Sequence, residues 1–237
     1  MQTLIVVPTY NEAGTILEVI DTVTDLGFEI LVVDDGSPDG TAELVSRVAT
    51  HHPGVHLLRR TEKSGLGSAY RAGFDWAIRS GRYDVVGQMD ADLSHDPLDL
   101  KRLVETVRVG GADVAIGSRY VPGGNTVGWS ARRRWLSRGG NRYMRLATGI
   151  KVNDMTAGFR VWRLAAVEQL ELCATGSEGY SFQLETTVRA HQAALRITEV
   201  PIVFTERREG QSKMDGSVVR EALWRVLVWG WIVRTGR

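Results

Sequence analysis

The sequence has little cysteine and no long hydrophobic run, and each of these absences excludes certain classes of protein. Its single cysteine, Cys173, excludes an internal disulfide and a cysteine-based zinc site, and it is compatible with a reducing compartment. No stretch of about 18 uninterrupted apolar residues occurs, so no transmembrane helix is predicted. The first apolar run, Leu4–Val7, has the length of a strand and lacks the preceding basic stretch of a signal peptide.

The chain also lacks a strong net charge of either sign. Its 29 basic and 28 acidic residues give a formal net charge of +1, so no nucleic-acid partner is expected. The basic residues are nevertheless crowded into two segments, and local anion sites are therefore expected. The two groups are Arg132, Arg133, Arg134 and Arg138, followed by Arg207, Arg208 and Lys213.

The length of 237 residues suffices for one sizeable α/β domain, and 43% hydrophobic residues is ordinary for a folded chain. In the first half, short apolar runs alternate with helical patterns of about 10–15 residues, which is typical of βαβ units and a mostly parallel sheet. Strands are predicted at 4–7, 30–33, 55–59, 85–89 and 113–117. Helices are predicted at 13–26, 41–51, 67–80 and 97–110.

Beyond residue 120 this alternation is lost. The predicted elements are a Gly-rich loop at 121–130, a helix at 132–148, a β segment or turn at 153–163, a helix at 181–194 and a strand at 197–204. A polar segment at 206–216 then leads to a final helix at 217–233, which is apolar, Trp-rich and bounded by arginines. That composition favours an interfacial helix lying on a membrane, and the alternative is a helix packed on the domain or on a partner subunit.

Polar residues follow three of the predicted strands at the point where each strand ends. The first strand leads into Pro8–Glu12, the second into Asp34–Gly40, and the fourth into Asp90–Asp92. Ligands of open α/β sheets bind beyond the carboxyl ends of the strands, and carboxylates that follow buried strands need a compensating charge. The three strand ends therefore predict a single polar binding site.

Asp90 and Asp92 carry the sharpest chemical signal. Residues two apart in an extended segment point the same way, and two carboxylates on one side suit Mg²⁺ or Mn²⁺. Such a cation would bridge the oxygens of a diphosphate and neutralise charge on the leaving group. The alternative is an acidic turn that caps the following helix. Asp39 is equally compatible with an ordinary Pro-Asp-Gly turn, and the glycine-rich turn at 65–68 is only a weak phosphate signal.

Several motifs in fixed order resemble the inverting family-2 glycosyltransferases of the GT-A fold. They are Val7–Glu12, Val33–Thr41, Met89–His95 and Gly117–Tyr120. Later segments resemble the dolichol-phosphate or polyprenol-phosphate mannose synthases, namely Ser137–Gly139, Thr156–Arg160, Gly179–Gln183, Glu199–Ile202 and Ser212–Met214. The resemblance implies one Rossmann-like GT-A domain over 1–216, with a nucleotide-sugar-binding half at 1–120 and an acceptor-binding half at 121–216. A C-terminal amphipathic interfacial helix over 217–237 would follow.

The resemblance also implies a role for each matching position. The residues that would hold the nucleotide sugar are Pro8, Tyr10, Glu12, Val33, Asp35, Asp90, Ala91, Asp92, Arg207 and Lys213. Asp90, Asp92 and Arg119 are the expected catalytic residues. Some relatives have a glutamine as a further metal ligand where this chain has Ser94, so the expected metal ligands are Asp90, Asp92 and Ser94.

The expected acceptor is a lipid monophosphate, whose second pKa of about 6 leaves it largely dianionic at pH 7. Such a nucleophile needs positioning and cationic screening more than a general base. Arg119, Arg133 and Arg138 are predicted to dock the phosphate, although the arginine-rich helix is also compatible with a solvated basic face. The predicted reaction is therefore the transfer of mannose from GDP-mannose to a polyprenyl phosphate with inversion.

The same sequence predicts Mg²⁺ or Mn²⁺ as the cofactor and a peripheral location on the cytoplasmic face of a membrane. Contact would run through the C-terminal helix, and a membrane partner subunit is a further option. Three other functions stay open. They are transfer from a UDP-sugar such as UDP-glucose, transfer to a carbohydrate hydroxyl with Glu185 as the base, and a non-catalytic nucleotide-binding subunit.

Overall fold

A computed structural model describes residues 1–206, in which two layers of helices enclose a seven-stranded main β-sheet. The strands are β1 (Thr3–Thr9), β2 (Glu29–Asp34), β3 (Val55–Arg59), β4 (Val85–Gln88), β5 (Val114–Ser118), β6 (Asn125–Val127), β7 (Arg160–Arg163), β8 (Ile197–Pro201) and β9 (Val203–Thr205). The helices are α1 (Ile16–Asp25), α2 (Thr41–Ala49), α3 (Leu66–Ser80), α4 (Pro97–Arg108), α5 (Ala131–Thr148), α6 (Leu164–Gln169) and α7 (Gly179–Gln192).

Seven strands form the main sheet in the order β3-β2-β1-β4-β7-β5-β8. Every adjacent pair is parallel except the two that involve β7, which runs antiparallel between β4 and β5. The prediction of a mostly parallel central sheet flanked by helices is confirmed. Two strands from beyond residue 120, β7 and β8, belong to this sheet, so both predicted halves share it. The functional division at residue 120 stays a prediction.

Both faces of the sheet are covered, because successive side chains of a strand point to opposite faces and here both sets are apolar. On β1, Leu4 and Val6 join one buried cluster with Phe74 of α3. Ile5 and Val7 join a second cluster that includes residues of α1 and α4. All four of these β1 residues are fully buried. The unbroken apolar run that predicted the first strand therefore reflects a central strand with a core on each side.

Two local predictions are wrong. The predicted loop at 121–130 contains β6, which pairs in parallel with β9 as a separate two-stranded sheet. The single strand predicted at 197–204 is two strands, because the chain leaves the main sheet after β8. The Ile202 N–H still donates to the Ser118 carbonyl at 3.1 Å, and the Val203 N–H donates to the Asp99 carboxylate at 3.3 Å. These long-range bonds redirect β9 toward β6, and local sequence pattern does not reveal them.

The predicted polar segment and final helix lie outside the described residues, except for Glu206. Within the part of the chain that the structure describes, no helix is both long and apolar enough to cross a membrane.

Gly73 of α3 lies directly against Val6 of β1. A Cβ atom at position 73 would lie 2.4 Å from the Val6 Cγ1 atom, so a side chain there would push α3 away from the sheet. We expect Gly73→Ala to lower the free energy of unfolding by about 1–3 kcal/mol, measured by urea unfolding. Gly139→Ala on α5 is the matched control, because nothing lies within 4 Å of a Cβ there. Its expected effect is a gain of up to about 1 kcal/mol from helix propensity. Equal losses in both variants would contradict this packing explanation.

Candidate active site

The segments that follow β1, β2 and β4 emerge at one edge of the main sheet. The three strands are parallel neighbours, with Thr9 beside Asp34 and Val6 beside Gln88. Because parallel strands end on the same side, the polar residues after each of them meet there. The structure thus brings together the three acidic or polar strand ends that the sequence indicated.

Two of the acidic residues at this edge, Asp34 and Asp39, stabilise the turn that follows β2. The Asp34 carboxylate accepts hydrogen bonds from the Thr9 hydroxyl at 3.0 Å and from the Ser37 hydroxyl at 2.6 Å. Asp39 accepts from the Thr41 hydroxyl at 2.6 Å and from the Ala13 N–H at 3.0 Å. These bonds fix the turn after β2 against the start of α1, which agrees with ordinary turn chemistry for Asp39.

Asp35 takes no part in these turn contacts, and its position is better suited to binding a ligand. It is buried, and its Oδ1 atom lies 3.2 Å from the Arg60 Nη1 atom. Burial raises the pKa of the Asp35 carboxyl, and the charge of Arg60 opposes that effect. Nearby, the Lys63 ammonium lies 3.7 Å from the centre of the Tyr10 ring. A carboxylate, an aromatic ring and two cations therefore lie together at the ends of β1 and β2.

The other residues predicted to hold the nucleotide sugar differ in how far their side chains are exposed. Val33 is fully buried in the core, so its side chain contributes no surface to a ligand, and Ala91 is almost as buried. Pro8 and Glu12 are half-buried at the sheet edge. Arg207 and Lys213 lie outside the described residues. The nucleotide-sugar roles of all these residues stay predictions.

Asp90 and Asp92 lie in a tight turn immediately beyond β4. The Asp92 carboxylate accepts a hydrogen bond from the Ser94 N–H at 3.1 Å. Leu93, which lies between Asp92 and Ser94, has a left-handed backbone with a φ of 59°. A left-handed leucine costs about 1–2 kcal/mol, and such residues concentrate at functional sites. The Tyr70 hydroxyl donates to the Asp90 carboxylate at 3.4 Å, and burial together with the Asp90 charge raises the pKa of Tyr70.

Two buried polar side chains next to this turn have no hydrogen-bond partner among residues 1–206. They are the Ser94 hydroxyl and both polar atoms of the Gln183 amide on α7. A Cβ atom at Gly158 would lie 3.7 Å from the Gln183 Nε2 atom and 3.9 Å from both Asp90 carboxylate oxygens. The amide and the carboxylate therefore flank the same glycine. A buried polar group without a hydrogen-bond partner costs about 1–3 kcal/mol of stability. A ligand that formed hydrogen bonds with these groups would remove that cost and so bind more tightly.

These residues fit a divalent cation. Mg²⁺ and Mn²⁺ take oxygen ligands, and Mg²⁺ is usually held by one or two carboxylates together with substrate phosphates. Asp90 and Asp92 supply the carboxylates, and Ser94 supplies a buried hydroxyl with no protein partner in the described residues. In the same part of the chain, no cluster of three or more His, Cys, Asp or Glu side chains is arranged to hold a metal ion. The remaining ligands would therefore come from the diphosphate and water.

Arg119, at the end of β5, is buried and paired with the fully buried Asp154. The Arg119 Nε and Nη2 atoms donate to the two Asp154 oxygens at 2.7 and 2.6 Å, and Nη2 also donates to the Thr156 hydroxyl at 3.0 Å. The Trp129 ring centre lies 5.2 Å from the guanidinium carbon. The predicted contact between Arg119 and a phosphate stays a prediction. The observed pair fixes the guanidinium in one orientation before any ligand binds.

A second buried arginine, Arg160, holds the same segment from inside the core. Its guanidinium donates to the carbonyls of Met155 and Ala157 and to the hydroxyls of Thr186 and Thr187, at 2.8 to 3.0 Å. All four acceptors are neutral, and burial lowers the pKa of Arg160 to about 9. The segment between Asp154 and Gly158, which passes beside Asp90, is therefore fixed at both ends.

An open cavity of about 750 Å³ lies between Arg119 and α5. Five cations and no acidic residue line it, and the cations are Arg119, Arg138, Arg142, Arg145 and Lys151. The Arg138 guanidinium carbon lies 5.8 Å from the centre of the Tyr120 ring, and Tyr120 also lines the cavity. Such a cavity suits an anion. Two of the three residues predicted to dock the acceptor phosphate thus share one cavity.

The third predicted phosphate contact, Arg133, is located differently. Its Nη1 atom lies 2.5 Å from a Glu206 carboxylate oxygen, and its guanidinium carbon lies 4.1 Å from the Trp129 ring centre. It is not among the residues that line the cavity. Its role as an acceptor contact stays a prediction that the position of the cavity does not support.

Two other polar features noticed in the sequence have structural roles. The N–H of Ser68, in the first turn of α3, donates to the carboxylate of Glu178 at 3.1 Å. The anion at the N-terminus of α3 is therefore the carboxylate of Glu178. His95 is buried with its ring stacked on Phe159 at 4.3 Å, and burial lowers its pKa to about 4. It is therefore neutral at pH 7.

Comparison with known proteins connects this geometry to one family. Residues 4–171 match glycosyl transferase family 2. A polyprenol monophosphomannose synthase of Mycolicibacterium smegmatis is 48% identical over 97% of this chain and 87% of its own length. An undecaprenyl-phosphate mannosyltransferase of Micrococcus luteus is 45% identical over 99% of this chain and 96% of its own. A dolichol-phosphate mannosyltransferase of Pyrococcus furiosus is 35% identical over 97% of this chain and 64% of its own.

Solved structures share the fold at lower identity. A glucosyl-3-phosphoglycerate synthase from Mycobacterium tuberculosis, in complex with Mn²⁺ and UDP-glucose, superposes with a TM-score of 0.67 and 19% identity. The match covers 99% of this chain and 79% of that one. A mannosyltransferase from Pyrobaculum calidifontis, in complex with GDP-Man and Mn²⁺, superposes with a TM-score of 0.62 and 22% identity. That match covers 100% of this chain and 65% of that one. The fold is therefore the GT-A fold.

The Arg119–Asp154 pair generates a stability prediction. Asp154→Ala leaves a buried guanidinium without its carboxylate, so we expect the free energy of unfolding to fall by about 3–5 kcal/mol in urea unfolding. The double variant Arg119→Met/Asp154→Leu replaces both charges with apolar groups and should recover most of that loss. A double variant as unstable as the single one would show that the charge pair is not the source of the effect.

Proposed function

The chain belongs to glycosyl transferase family 2, and on that premise we propose that it transfers mannose from GDP-mannose to a polyprenyl monophosphate with inversion. It is a glycosyltransferase, so the alternative of a non-catalytic nucleotide-binding subunit is set aside. The observation that carries the proposal is the acidic turn at Asp90 and Asp92 together with the cationic cavity at Arg119. The segment 154–158 links the two, because Thr156 contacts Arg119 and Gly158 lies beside Asp90.

The donor would bind at the ends of β1, β2 and β4. Guanine presents two adjacent N–H donors, which match the two oxygens of a carboxylate such as Asp35, whereas uracil presents one N–H between two carbonyls. Tyr10 would stack on the base, and the cations Arg60 and Lys63 lie close enough to screen the carboxylate and the phosphates. This arrangement favours GDP over UDP as the nucleotide.

Asp90, Asp92 and Ser94 would hold Mg²⁺ or Mn²⁺, and the Mn²⁺ named in both structural neighbours supports this assignment. When bound, the cation would neutralise the charge that develops on the departing diphosphate. Gln183, to which the sequence assigned no role, would complete the site by hydrogen bonding to the sugar or the phosphate beside Gly158. Its amide can both donate and accept.

The acceptor phosphate would enter the cationic cavity, held by Arg119 and Arg138. One of its oxygens would attack the anomeric carbon, forming a new carbon–oxygen bond while the bond to the GDP oxygen breaks and its electron pair leaves with GDP. No proton has to move, because the phosphate is already largely dianionic at pH 7. The protein therefore contributes position and charge rather than a base.

The rival hydroxyl acceptor would need a general base, and Glu185 is the predicted one. The Glu185 carboxylate already accepts a hydrogen bond from Arg189 at 3.0 Å, one turn along α7. The carboxylate of the predicted base is therefore already engaged by a neighbour within α7. This pairing supports the phosphate acceptor over the hydroxyl acceptor.

We also propose that the reaction takes place at a membrane surface, because the names of the relatives specify lipid-phosphate substrates. The cytoplasmic face is the side that the sequence predicts. A membrane partner subunit and the docking role of the C-terminal helix at 217–237 remain parts of this proposal. The helix lies outside the described residues.

The donor is tested by incubating the protein with Mn²⁺, a short-chain polyprenyl phosphate, and either radiolabelled GDP-mannose or radiolabelled UDP-glucose. We expect labelled lipid product from GDP-mannose at a rate at least about 10²-fold above that from UDP-glucose, as a site with matched hydrogen bonds discriminates strongly. GDP should inhibit more strongly than UDP. Product from UDP-glucose at the higher rate would reverse the assignment of the donor.

The metal site is tested with Asp92→Asn. Loss of a carboxylate ligand should lower kcat/KM for GDP-mannose by about 10³-fold, because several kcal/mol of charge stabilisation are removed and each 1.4 kcal/mol is tenfold. Asp96→Asn is the matched control. Asp96 caps α4 through the Leu98 N–H, and asparagine caps equally well, so activity should be retained. An Asp92→Asn enzyme with full metal-dependent activity would remove the metal assignment.

A further inference from the structure

Tyr70 of α3 lies entirely inside the core, where its ring packs against two other aromatic rings. The ring centre lies 6.1 Å from that of Phe182 on α7, with the two planes inclined by 10°, and 6.4 Å from that of Phe74 on α3. A phenylalanine at position 70 would pack equally well. The hydroxyl adds nothing to this packing, and its burial costs free energy unless it forms a hydrogen bond.

The hydrogen bond of this hydroxyl is directed at the acidic turn beyond β4. The Tyr70 hydroxyl donates to the Asp90 Oδ1 atom at 3.4 Å. The phenol is the donor, because it is protonated at pH 7 and an ionised carboxylate can only accept. A carboxylate offers about four acceptor positions on its two oxygens, so one bond from Tyr70 is compatible with a cation on the same group.

The direction of the Tyr70 side chain is set by how the start of α3 packs on the segment before α7. Arg71, the next residue, donates to the Ser177 carbonyl at 2.8 Å and forms an ion pair with Glu178. The two segments approach closely, since a Cβ atom at Gly67 would lie 2.6 Å from the Ser177 carbonyl oxygen. The hydroxyl therefore reaches the acidic turn from a helix that is attached to its neighbour on both sides of the tyrosine.

We propose that Tyr70 is a positioning residue, whose hydroxyl holds the Asp90 carboxylate in one orientation for binding the divalent cation. The inference deepens the proposed function and rests on it, because it takes Asp90 to be a metal ligand. Groups that hydrogen-bond a ligating side chain fix its direction, and loss of such a group typically lowers metal affinity or activity by about 10–100-fold. Tyr70 acts through Asp90 and contacts neither the cation nor the substrates.

The chain offers a matched comparison in Tyr83, a second buried tyrosine whose hydroxyl donates to a carboxylate. The acceptor is Glu29, at 2.7 Å. Glu29 is the first residue of β2 and Tyr83 precedes β4, whereas Asp90 follows β4. The second pair therefore lies at the opposite edge of the main sheet. Loss of the Tyr83 hydroxyl removes the same chemical group without touching the proposed metal site.

The test compares Tyr70→Phe with Tyr83→Phe in the full chain, since each substitution removes one hydroxyl and keeps the aromatic ring. The affinity for GDP is measured by isothermal titration calorimetry in EDTA and at a series of Mn²⁺ concentrations. If Mn²⁺ tightens GDP binding, GDP tightens Mn²⁺ binding by the same factor. The Mn²⁺ concentration that gives half of the maximal gain in GDP affinity therefore reports on the metal site, and the affinity in EDTA reports on the rest of the nucleotide site.

We expect Tyr70→Phe to bind GDP in EDTA as the native chain does, and to need about 10-fold more Mn²⁺ for half of the gain in GDP affinity. The rate of transfer from GDP-mannose should fall by a similar factor at limiting Mn²⁺ and should recover at saturating Mn²⁺. General damage to the domain would not be reversed by added metal. Tyr83→Phe should match the native chain in the GDP titrations and in the Mn²⁺ dependence of transfer.

Two results would overturn the positioning role alone. Tyr70→Phe needs no more Mn²⁺ than the native chain, or it loses as much GDP affinity in EDTA as in Mn²⁺. If Mn²⁺ does not tighten GDP binding by the native chain, the proposed metal site is wrong and the role of Tyr70 is wrong with it. Absence of transfer to a polyprenyl phosphate, with the Mn²⁺ requirement for GDP binding still raised in Tyr70→Phe, would instead contradict the proposed reaction and support the positioning role.

Discussion

The buried ion pair between Arg119 and Asp154 is the interaction on which the rest of the site depends. It joins the end of β5 to the segment that precedes β7. Asp154 is itself held by Glu199 of β8, which accepts its N–H at 3.0 Å. Thr156 extends the network to Asn141 of α5 at 3.2 Å. One buried charge pair thus sets the position of the cationic helix relative to the main sheet, and of Gly158 relative to Asp90.

Under the proposed function, that constraint would keep two kinds of anion apart within one domain. The carboxylates at the ends of β2 and β4 would repel phosphates directly, so they suit a donor whose charge is carried with a cation. The only charged side chains that line the cavity beside α5 are cations, so it suits an anion that arrives without a metal. The segment 154–158 lies between the two, fixed by Arg119 on one side and by Arg160 on the other. Under the proposed function, the two substrates would bind in different places and would meet beside one short stretch of backbone.

Much of this was predictable from the sequence because it depends on local pattern. The unbroken apolar runs predicted β1, β2 and β4, and the structure brings the polar residues that follow them to one edge of the sheet. The cationic helix was equally visible. What local pattern does not contain is long-range pairing. Nothing near Arg160 indicates that β7 inserts between β4 and β5, and nothing near Gln183 indicates that α7 brings its amide to Gly158. The ion pair between Arg133 and Glu206 joins residues 73 positions apart, so local pattern does not reveal it either.

The antiparallel direction of β7 has a consequence for where functional residues occur along a chain. A parallel strand presents to the site the residues that come after it, whereas an antiparallel strand in the same sheet presents those that come before it. Asp154, Thr156 and Gly158 therefore precede β7, although Asp35 and Asp90 follow their strands. In sheets of this kind, a search limited to residues after strands would miss every contribution from the reversed strand. The segment that precedes that strand is the second place to look, and in this chain it joins the acidic turn to the cationic cavity.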